Sequence, residues 1–461
     1  MNNSWITSVF PIAAIFSFRM LGLFMLIPVF TVFAGQLEGA TPALMGIALG
    51  SYGLSQGLLQ MPFGLLSDRW GRKPVLTLGL CLFIAGSVLG ALTSTIHGMI
   101  AARILQGTGA IGSVLIALLA DLTPDDQRTK AMAVIGMTIG TSFSLAMILS
   151  PAITHHYGLP GIFYLTALLA FTGLVLLHGV IPTPARERFH HDSETSPSLL
   201  KTVFFNPQLQ RLNAGIFLQH FILTATFYAV PILLKHQVKS DHFTQAWQFY
   251  LPLMIIAFIA MVPFIILAEK KRQMKAVFLA SVATSGIAQF LLAIGGYYWL
   301  SLWIFMLLYF TAFNILEAVL PSLISRQADP HSKGTAMGIY SSSQFLGIFA
   351  GGTTAGVLYQ YAGNQALFYV NAVLCIVWLF IARTMKPNRY YSTVIINCES
   401  YAPETLITAL PQLQQLPGVK EAIFEPDENV LYLRVDKQDY QSTRVEDFLA
   451  AHPAPSSIKI K

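Results

Sequence analysis

Apolar runs of about 20 residues or more recur along this chain, and such a run leaves water stably as a helix that satisfies its own backbone across a bilayer. They fall at 5–34, 41–66, 75–94, 96–121, 128–154 and 159–181, then at 213–236, 243–268, 275–296, 298–325, 334–362 and 364–385. That makes about twelve spans. Only 11% of the residues are charged and 54% are hydrophobic, whereas a soluble domain carries roughly a quarter charged residues. The expected class is an all-α membrane protein: twelve transmembrane helices in two pseudo-symmetric six-helix halves. Met1-Asn2-Asn3-Ser4 sets no basic residue before the first run, which is therefore read as a retained span and not a cleaved signal.

Charge placement orients the spans. Arg69, Arg72 and Lys73 follow span two, Arg128 and Lys130 span four, and Arg186, Arg188, Lys201 and Arg211 span six. Lys270, Lys271, Arg272 and Lys275 follow span eight, Arg326 and Lys333 span ten, and Arg383, Lys386 and Arg389 span twelve. The opposite connections carry only Lys235 and Lys239. Lys and Arg stay on the cytoplasmic side, so both termini are expected there. The halves are 1–181 and 213–385, joined by a cytoplasmic linker at 182–212. Pro62-Phe63 with Asp68-Arg69 is echoed by Pro263-Phe264 with Glu269-Lys270, and Ala131-Met132 by Ala336-Met337. These echoes predict a duplicated unit with a substrate path between its copies.

Beyond a short linker at 386–392 the composition changes. Residues 393–461 hold six bases and ten acids, a net −4, which leaves +10 on the preceding chain. Thr393–Cys398 reads as a strand, 403–415 as a helix, Val419–Glu425 and Val430–Asp436 as a hairpin, 443–451 as a helix and Ser456–Lys461 as a last strand. This order, βαββαβ, predicts a small α+β ferredoxin-like cytoplasmic domain. It is expected to bind a cytoplasmic ligand or to self-associate through strand edges. Nucleic acid is not expected on an acidic surface.

One connection stands out, Pro62-Phe63-Gly64-Leu65-Leu66-Ser67-Asp68-Arg69-Trp70-Gly71-Arg72-Lys73-Pro74. Gly64 allows close helix approach, Gly71 a sharp reversal, and Asp68 is one acid among three bases. Its echo at 263–275 lacks both glycines and is expected to be a weaker latch. An ionisable group within hydrocarbon costs about 2.5–3.5 kcal/mol on insertion scales and so faces a cavity or a partner. Asp121 closes span four beside the hairpin, within reach of Arg72 or Arg69. His220 and Glu317 lie roughly 10–12 Å inside spans seven and ten, where they could exchange protons. Arg103 and Gln106 sit in Arg103-Ile104-Leu105-Gln106-Gly107-Thr108-Gly109-Ala110, and Arg19 lies mid-way along span one. These three are expected on the substrate path or in coupling; for Arg19 a helix-interface role weighs equally. Gln56, Gln60, Gln219, Gln289 and Asn314 are further path candidates. The aromatic residues are expected mostly to face lipid or its interface.

The hairpin Gly-x-Leu-x-Asp-Arg-x-Gly-Arg-Lys and the Arg-x-x-Gln-Gly-x-Gly-Ala run together resemble the major facilitator superfamily over residues 5–385. Arg19–Gly22, Pro321–Ser325 and Lys333–Gly338, with the small tail, further resemble its bacterial inner-membrane carriers that bear a cytoplasmic ferredoxin-like domain. The resemblance implies a latch of Gly64, Asp68, Arg69, Gly71, Arg72 and Asp121, in which Asp68 meets the start of span eleven and holds the outward-facing state. It implies secondary transport energised by a proton gradient, with small-molecule efflux by antiport as the leading expectation and import as the alternative. Drug/proton antiporters end span five with Gly-Pro-x-x-Gly-Gly; here the run is Ser150-Pro151-Ala152-Ile153-Thr154-His155, which weakens antiport specifically. A membrane sensor signalling through the tail is the rival class. No nucleophile–base set or phosphate loop suggests an enzyme. No cofactor or metal is expected, since Cys81, Cys375 and Cys398 lack paired spacing.

Overall fold

The computed structural model describes residues 4–184, 198–239, 245–329, 332–385 and 391–450, apart from 399, 400, 402, 427, 437 and 438. In the first half α1 is Ser4–Phe24, α2 Phe30–Ala34, α3 Pro42–Trp70, α4 Arg72–Leu92, α5 Ile96–Thr108, α6 Gly112–Asp121 and α7 Asp125–Gly179. In the second, α8 is Leu200–Phe204, α9 Pro207–Lys239, α10 Trp247–Lys270, α11 Met274–Gly295, α12 Trp299–Gln327 and α13 Lys333–Arg383. The two longest helices each contain one non-helical residue, Gly158 at φ 63° in α7 and Gly363 at φ 73° in α13. Only glycine adopts that backbone freely, so each helix folds back there into two spans. Spans five and six, and eleven and twelve, thus join through a single residue. With α1, α3 and the paired segments α5 and α6, the expected twelve spans are all present.

Helix pairing repeats between the halves. In the first, α3 packs on α5, α4 on α5 and α7, and α1 on α7. In the second, α10 packs on α12, α11 on α12 and α13, and α9 on α13. The equivalent reversals at Gly158 and Gly363 extend the same correspondence. On α10 the apolar residues Ile255, Ile259, Val262 and Ile266 are exposed at helical spacing, a stripe that hydrocarbon covers in a bilayer.

The halves meet along α3 and α13. Gly46, Gly50, Gly53 and Gly57 of α3 face Gly356, Phe349, Phe345 and Leu346 of α13. A Cβ on Gly46 would stand 2.3 Å from the Gly352 carbonyl oxygen, so the backbones touch where side chains are absent. At the end remote from the 62–74 hairpin, the Tyr228 hydroxyl donates to the Pro42 carbonyl at 2.8 Å and the Ala43 amide to Gln360 Oε1 at 3.2 Å. That end is closed.

The hairpin end differs. Phe143 of α7 reaches Phe227, Phe310 and Phe313 of the other half, with ring centroids 6.5, 6.1 and 5.6 Å away. Gly140 and Gly136 lie three and seven residues before Phe143, hence on the same helix face, yet a Cβ on either would meet nothing within 4 Å. The cleft between the halves is therefore plugged at the aromatic cluster and open beyond it toward the hairpin.

The tail carries β1 Tyr391–Asn397, α14 Pro403–Leu413, β2 Val419–Glu425, β3 Val430–Asp436 and α15 Ser442–Ala450. Its antiparallel sheet has the order β1-β3-β2, as a ferredoxin-like unit requires; the expected last strand at 456–461 lies outside the described residues, as do Arg186, Arg188 and the 386–390 linker. Burial pushes the Cys398 thiol up to about 11, so it remains a neutral packing group at physiological pH. The tail docks on the echo of the hairpin. Arg434 donates to the Arg326 carbonyl at 2.8 Å and lies 3.7 Å from Asp329, and Arg272 pairs with Asp436 at 3.4 Å. Strand β1 also lies against α7 and α12, one helix from each half.

Two outcomes are expected. Gly46→Ala should hold the remote end apart, raising the maleimide reactivity of a cysteine placed at Ala43 in a Cys81→Ser background. Arg434→Ala should speed amide hydrogen exchange at 269–272 and 326–329 without slowing or speeding it at the remote end.

Candidate functional site

The hairpin forms because α3 ends at Trp70 and Gly71, at φ 90° and ψ 155°, turns the chain directly into α4. This reversal brings Arg72 under the end of α3. Arg72 is 2% exposed and its guanidinium is shared three ways. Nε donates to Asp121 Oδ2 at 3.0 Å, Nη1 donates to Ser67 Oγ at 2.8 Å, and Nη1 also pairs with Asp68. Asp121, closing α6, has a fully buried side chain, whereas Asp68 is 29% exposed. Lys73 donates to the Ile181 carbonyl at 2.6 Å, fastening the hairpin to the end of α7. Gly64 lies under α6, where a Cβ would stand 3.4 Å from Ser113 Oγ.

Of the six residues expected to form a latch, five converge and one does not. Arg69 is exposed and makes no ion pair among the described residues; the acid at 121 takes Arg72, whose shorter path from the turn lets it bury. Asp68 makes no hydrogen bond to the start of α13 among the described residues, in keeping with an open hairpin end. The third ligand of Arg72, Ser67, was not among the sequence candidates; its place one residue before the acid is the signal that marks it. In the second half the equivalent of Gly71 is Arg272, at φ 57°, a conformation costing a non-glycine residue about 1–2 kcal/mol. There Glu269 pairs with Arg326 at 2.6 Å in a partly exposed setting, where ion pairs contribute little.

Deeper in the second half, α9, α12 and α13 bring together His220, Glu317 and Gln344. His220 is 1% exposed. Its Nδ1 lies 3.3 Å from the Ile216 carbonyl and its Nε2 lies 2.8 Å from Gln344 Nε2. One consistent tautomer places the proton on Nδ1, donating to the carbonyl, and lets Nε2 accept from the Gln344 amide. Glu317 Oε2 is 3.9 Å from His220 Nε2 and is itself buried without a hydrogen-bond partner. Tyr309 and Tyr340 lie within electrostatic reach of Glu317. The His220 ring packs 6.2 Å from Phe313, on the hairpin side of the aromatic plug. Gln344 and the plug were missed from sequence: a glutamine among small residues and phenylalanines in apolar runs carry no distinguishing pattern.

In the first half, Arg19 donates from Nη2 to the Tyr52 hydroxyl at 3.2 Å. Arg103 stacks over the same ring at 4.8 Å and donates to Gln106 Oε1 at 2.8 Å, and Gln106 donates to Ser87 Oγ at 2.8 Å. Both guanidiniums are buried, and neither has a carboxylate at ion-pair distance among the described residues. Gln289, a path candidate, instead binds Thr226 and Asn371 within the second half, which makes it a helix tie. No group of three metal-ligating side chains occurs among the described residues.

The family model of the major facilitator superfamily matches residues 12–352 and again 274–395. The chain belongs to this superfamily. It is 43% identical over 431 residues to the inner membrane transport protein YajR of Escherichia coli, covering 93% of each chain. An uncharacterized transporter of Buchnera aphidicola, BU466, is 33% identical over 339 residues, 73% of this chain and 86% of that one. The partially occluded, inward-open xylose transporter XylE of E. coli superposes with a TM-score of 0.65 at 13% identity, over 85% of this chain and all of that one. The human organic anion transporter MFSD10 gives 0.59 at 20%, over 83% of this chain. A facilitator-superfamily chain is a multi-pass membrane transporter.

Asp121→Ala leaves the Arg72 guanidinium buried against less charge and should lower stability by about 3–5 kcal/mol, read as a loss of Tm in detergent. Asp68→Asn leaves Asp121 in place at a more exposed site and should cost less than about 1 kcal/mol.

Proposed function

We propose that this chain is a proton-coupled secondary transporter of the bacterial cytoplasmic membrane, with both termini in the cytoplasm. It moves a small solute by rocking its halves about the aromatic plug. The 62–74 hairpin, with Asp68, Arg72 and Asp121, is the latch between conformations, and Glu317 with His220 holds the coupling proton. One observation carries this reading: an acid and an imidazole sit together, 3.9 Å apart, on the hairpin side of an aromatic plug between halves that touch along the α3–α13 seam. A carboxylate oxygen with no donor, next to a neutral-tautomer imidazole, gains a partner when a proton arrives. The proton then favours one arrangement of the halves to the extent of its differential affinity for the two.

Export by proton exchange is the leading direction. Import with the proton has one observation in its favour: the first half buries Arg19 and Arg103 with no carboxylate at ion-pair distance among the described residues. An anionic cargo there would bind together with a proton on Glu317 and not in place of it.

The test uses proteoliposomes with a pH dye in the lumen. Cargo added outside alkalinises the lumen if exchange operates and acidifies it if the two travel together. Glu317→Gln should abolish either pH signal while solute counterflow persists. Normal proton flux in that variant would remove Glu317 from the mechanism, and normal flux in Asp68→Asn would remove the latch.

A further inference from the structure

The fourth span is not one helix. The run Ile96–Asp121 is long and apolar enough to cross a membrane, yet helix α5 stops at Thr108 and α6 starts at Gly112. The break coincides with close packing. A Cβ on Gly107 would lie 2.4 Å from the Tyr52 carbonyl oxygen, and one on Gly109 2.4 Å from that of Gly79. Within the break the Ala110 and Ile111 amides turn back to Thr108 and Gly109, and the regular ladder resumes only with Leu115 donating to Ile111 at 2.9 Å.

The amides of Gly112, Ser113 and Val114 consequently have no acceptor among the described residues. They belong to the first turn of a ten-residue helix whose other end is at Asp121, roughly 14 Å away at 1.5 Å per residue. A helix start with free amides is electropositive. In soluble proteins water answers such groups; within a span they need an internal partner or a ligand.

A second, independent feature lies at the same turn. Arg19 is 2% exposed, its Nε is buried without a partner, and its Nη1 would stand 3.1 Å from a Cβ on Gly112. Gln60 Nε2 approaches the same point at 3.8 Å, and Ser113 Oγ donates to the Gln60 carbonyl at 2.8 Å, fixing α3 against the turn. The glycine thus lets a guanidinium and an amide donor come up to the helix start more closely than a methyl group would comfortably allow. Arg103, stacked over the Tyr52 ring whose hydroxyl Arg19 binds, adds a second positive charge, and no carboxylate pairs with either arginine among the described residues.

We propose that the start of α6, with Arg19 and Gln60, is an anion subsite that receives the carboxylate of the cargo, so the transported solute is a small organic carboxylate. This rests on the transporter reading for the word cargo; the binding site itself does not. The guanidinium offers two donors to the carboxylate and the helix start offers backbone amides, a pairing that places charge without an acid in the protein.

The test is thermal unfolding of the purified full chain, followed by intrinsic fluorescence, with acetate, benzoate and succinate against acetamide, benzamide and succinamide. Sodium chloride and sodium sulfate serve as ionic-strength controls. At least one carboxylate should raise Tm saturably above its amide and above both salts. Gly112→Ala would set a methyl 3.1 Å from Arg19 Nη1 and push that mobile side-chain end away from the helix start, so it should fold; its half-saturation concentration should rise about tenfold or more. Arg19→Gln should lose the response, and Arg19→Lys should recover part of it. Three outcomes overturn the proposal: no carboxylate exceeds its amide, the inorganic salts act equally well, or both the Gly112→Ala and Arg19→Gln variants respond like the parent. Proton-coupled flux of a neutral or cationic solute without any carboxylate response would sink this subsite alone. Carboxylate binding without proton-coupled flux would instead sink the transport reading and leave the subsite.

Discussion

An ionised side chain within hydrocarbon must be compensated nearby, and the arrangement of this molecule follows from how each such group is answered. Arg72 is answered by two carboxylates and a serine, and that answer welds the ends of spans two, three and four into one rigid corner. Glu317 Oε2, on a partly exposed side chain, has among the described residues a histidine 3.9 Å away that is already engaged on both ring nitrogens, and no hydrogen bond. Arg19 and Arg103 are answered by a tyrosine and amides, none of which carries charge. The gradation runs from full compensation at Arg72 to partial compensation at Glu317, Arg19 and Arg103.

Close backbone approach supplies the other half of the mechanism. The α3–α13 seam is built from glycines facing carbonyl oxygens, so the halves can meet without interlocking side chains at that end. Such a surface separates without unpacking a core, which suits rigid rocking better than a knobs-and-holes interface would. The aromatic plug around Phe143 is the point about which the open and closed ends differ. The tail bridges the two halves at the open end, through Arg434 and Arg272 on one side and β1 against α7 on the other.

Duplication explains both the likeness and the asymmetry of the halves. Helix pairing and the Gly158 and Gly363 reversals repeat. The hairpins diverge because one kept Gly71 and the other carries Arg272 at the same strained turn. The first therefore buries its charges, and the second exposes them and offers a docking surface to the tail. The His220–Glu317 pair belongs to the second half, and the two arginines without a carboxylate at ion-pair distance among the described residues belong to the first.

Much of this was readable from residue order alone. Run length and the scarcity of charge dictate spans, because backbone in hydrocarbon has no alternative to internal hydrogen bonding. Hairpin residues Gly64 to Pro74 are local in sequence, so Asp68 and Arg72 pair at helical spacing, and Asp121 was within reach at the end of its run. Other features depend on which faces meet. Arg69 and Arg72 are equally basic, and only the turn at Gly71 decides which one is buried. Gln344 beside His220, the Phe143 cluster and the unneutralised pair around Tyr52 join residues more than thirty positions apart, whose helix faces no periodicity in an all-apolar run reveals. The break at 109–111 is likewise tertiary, since Gly107 and Gly109 permit it and the backbones of α3 and α4 pressing on them impose it. Sequence settled what crosses the membrane, through local hydrophobicity and backbone hydrogen bonding; tertiary structure decided which charges are left without a partner, because compensation is a matter of distance between helices.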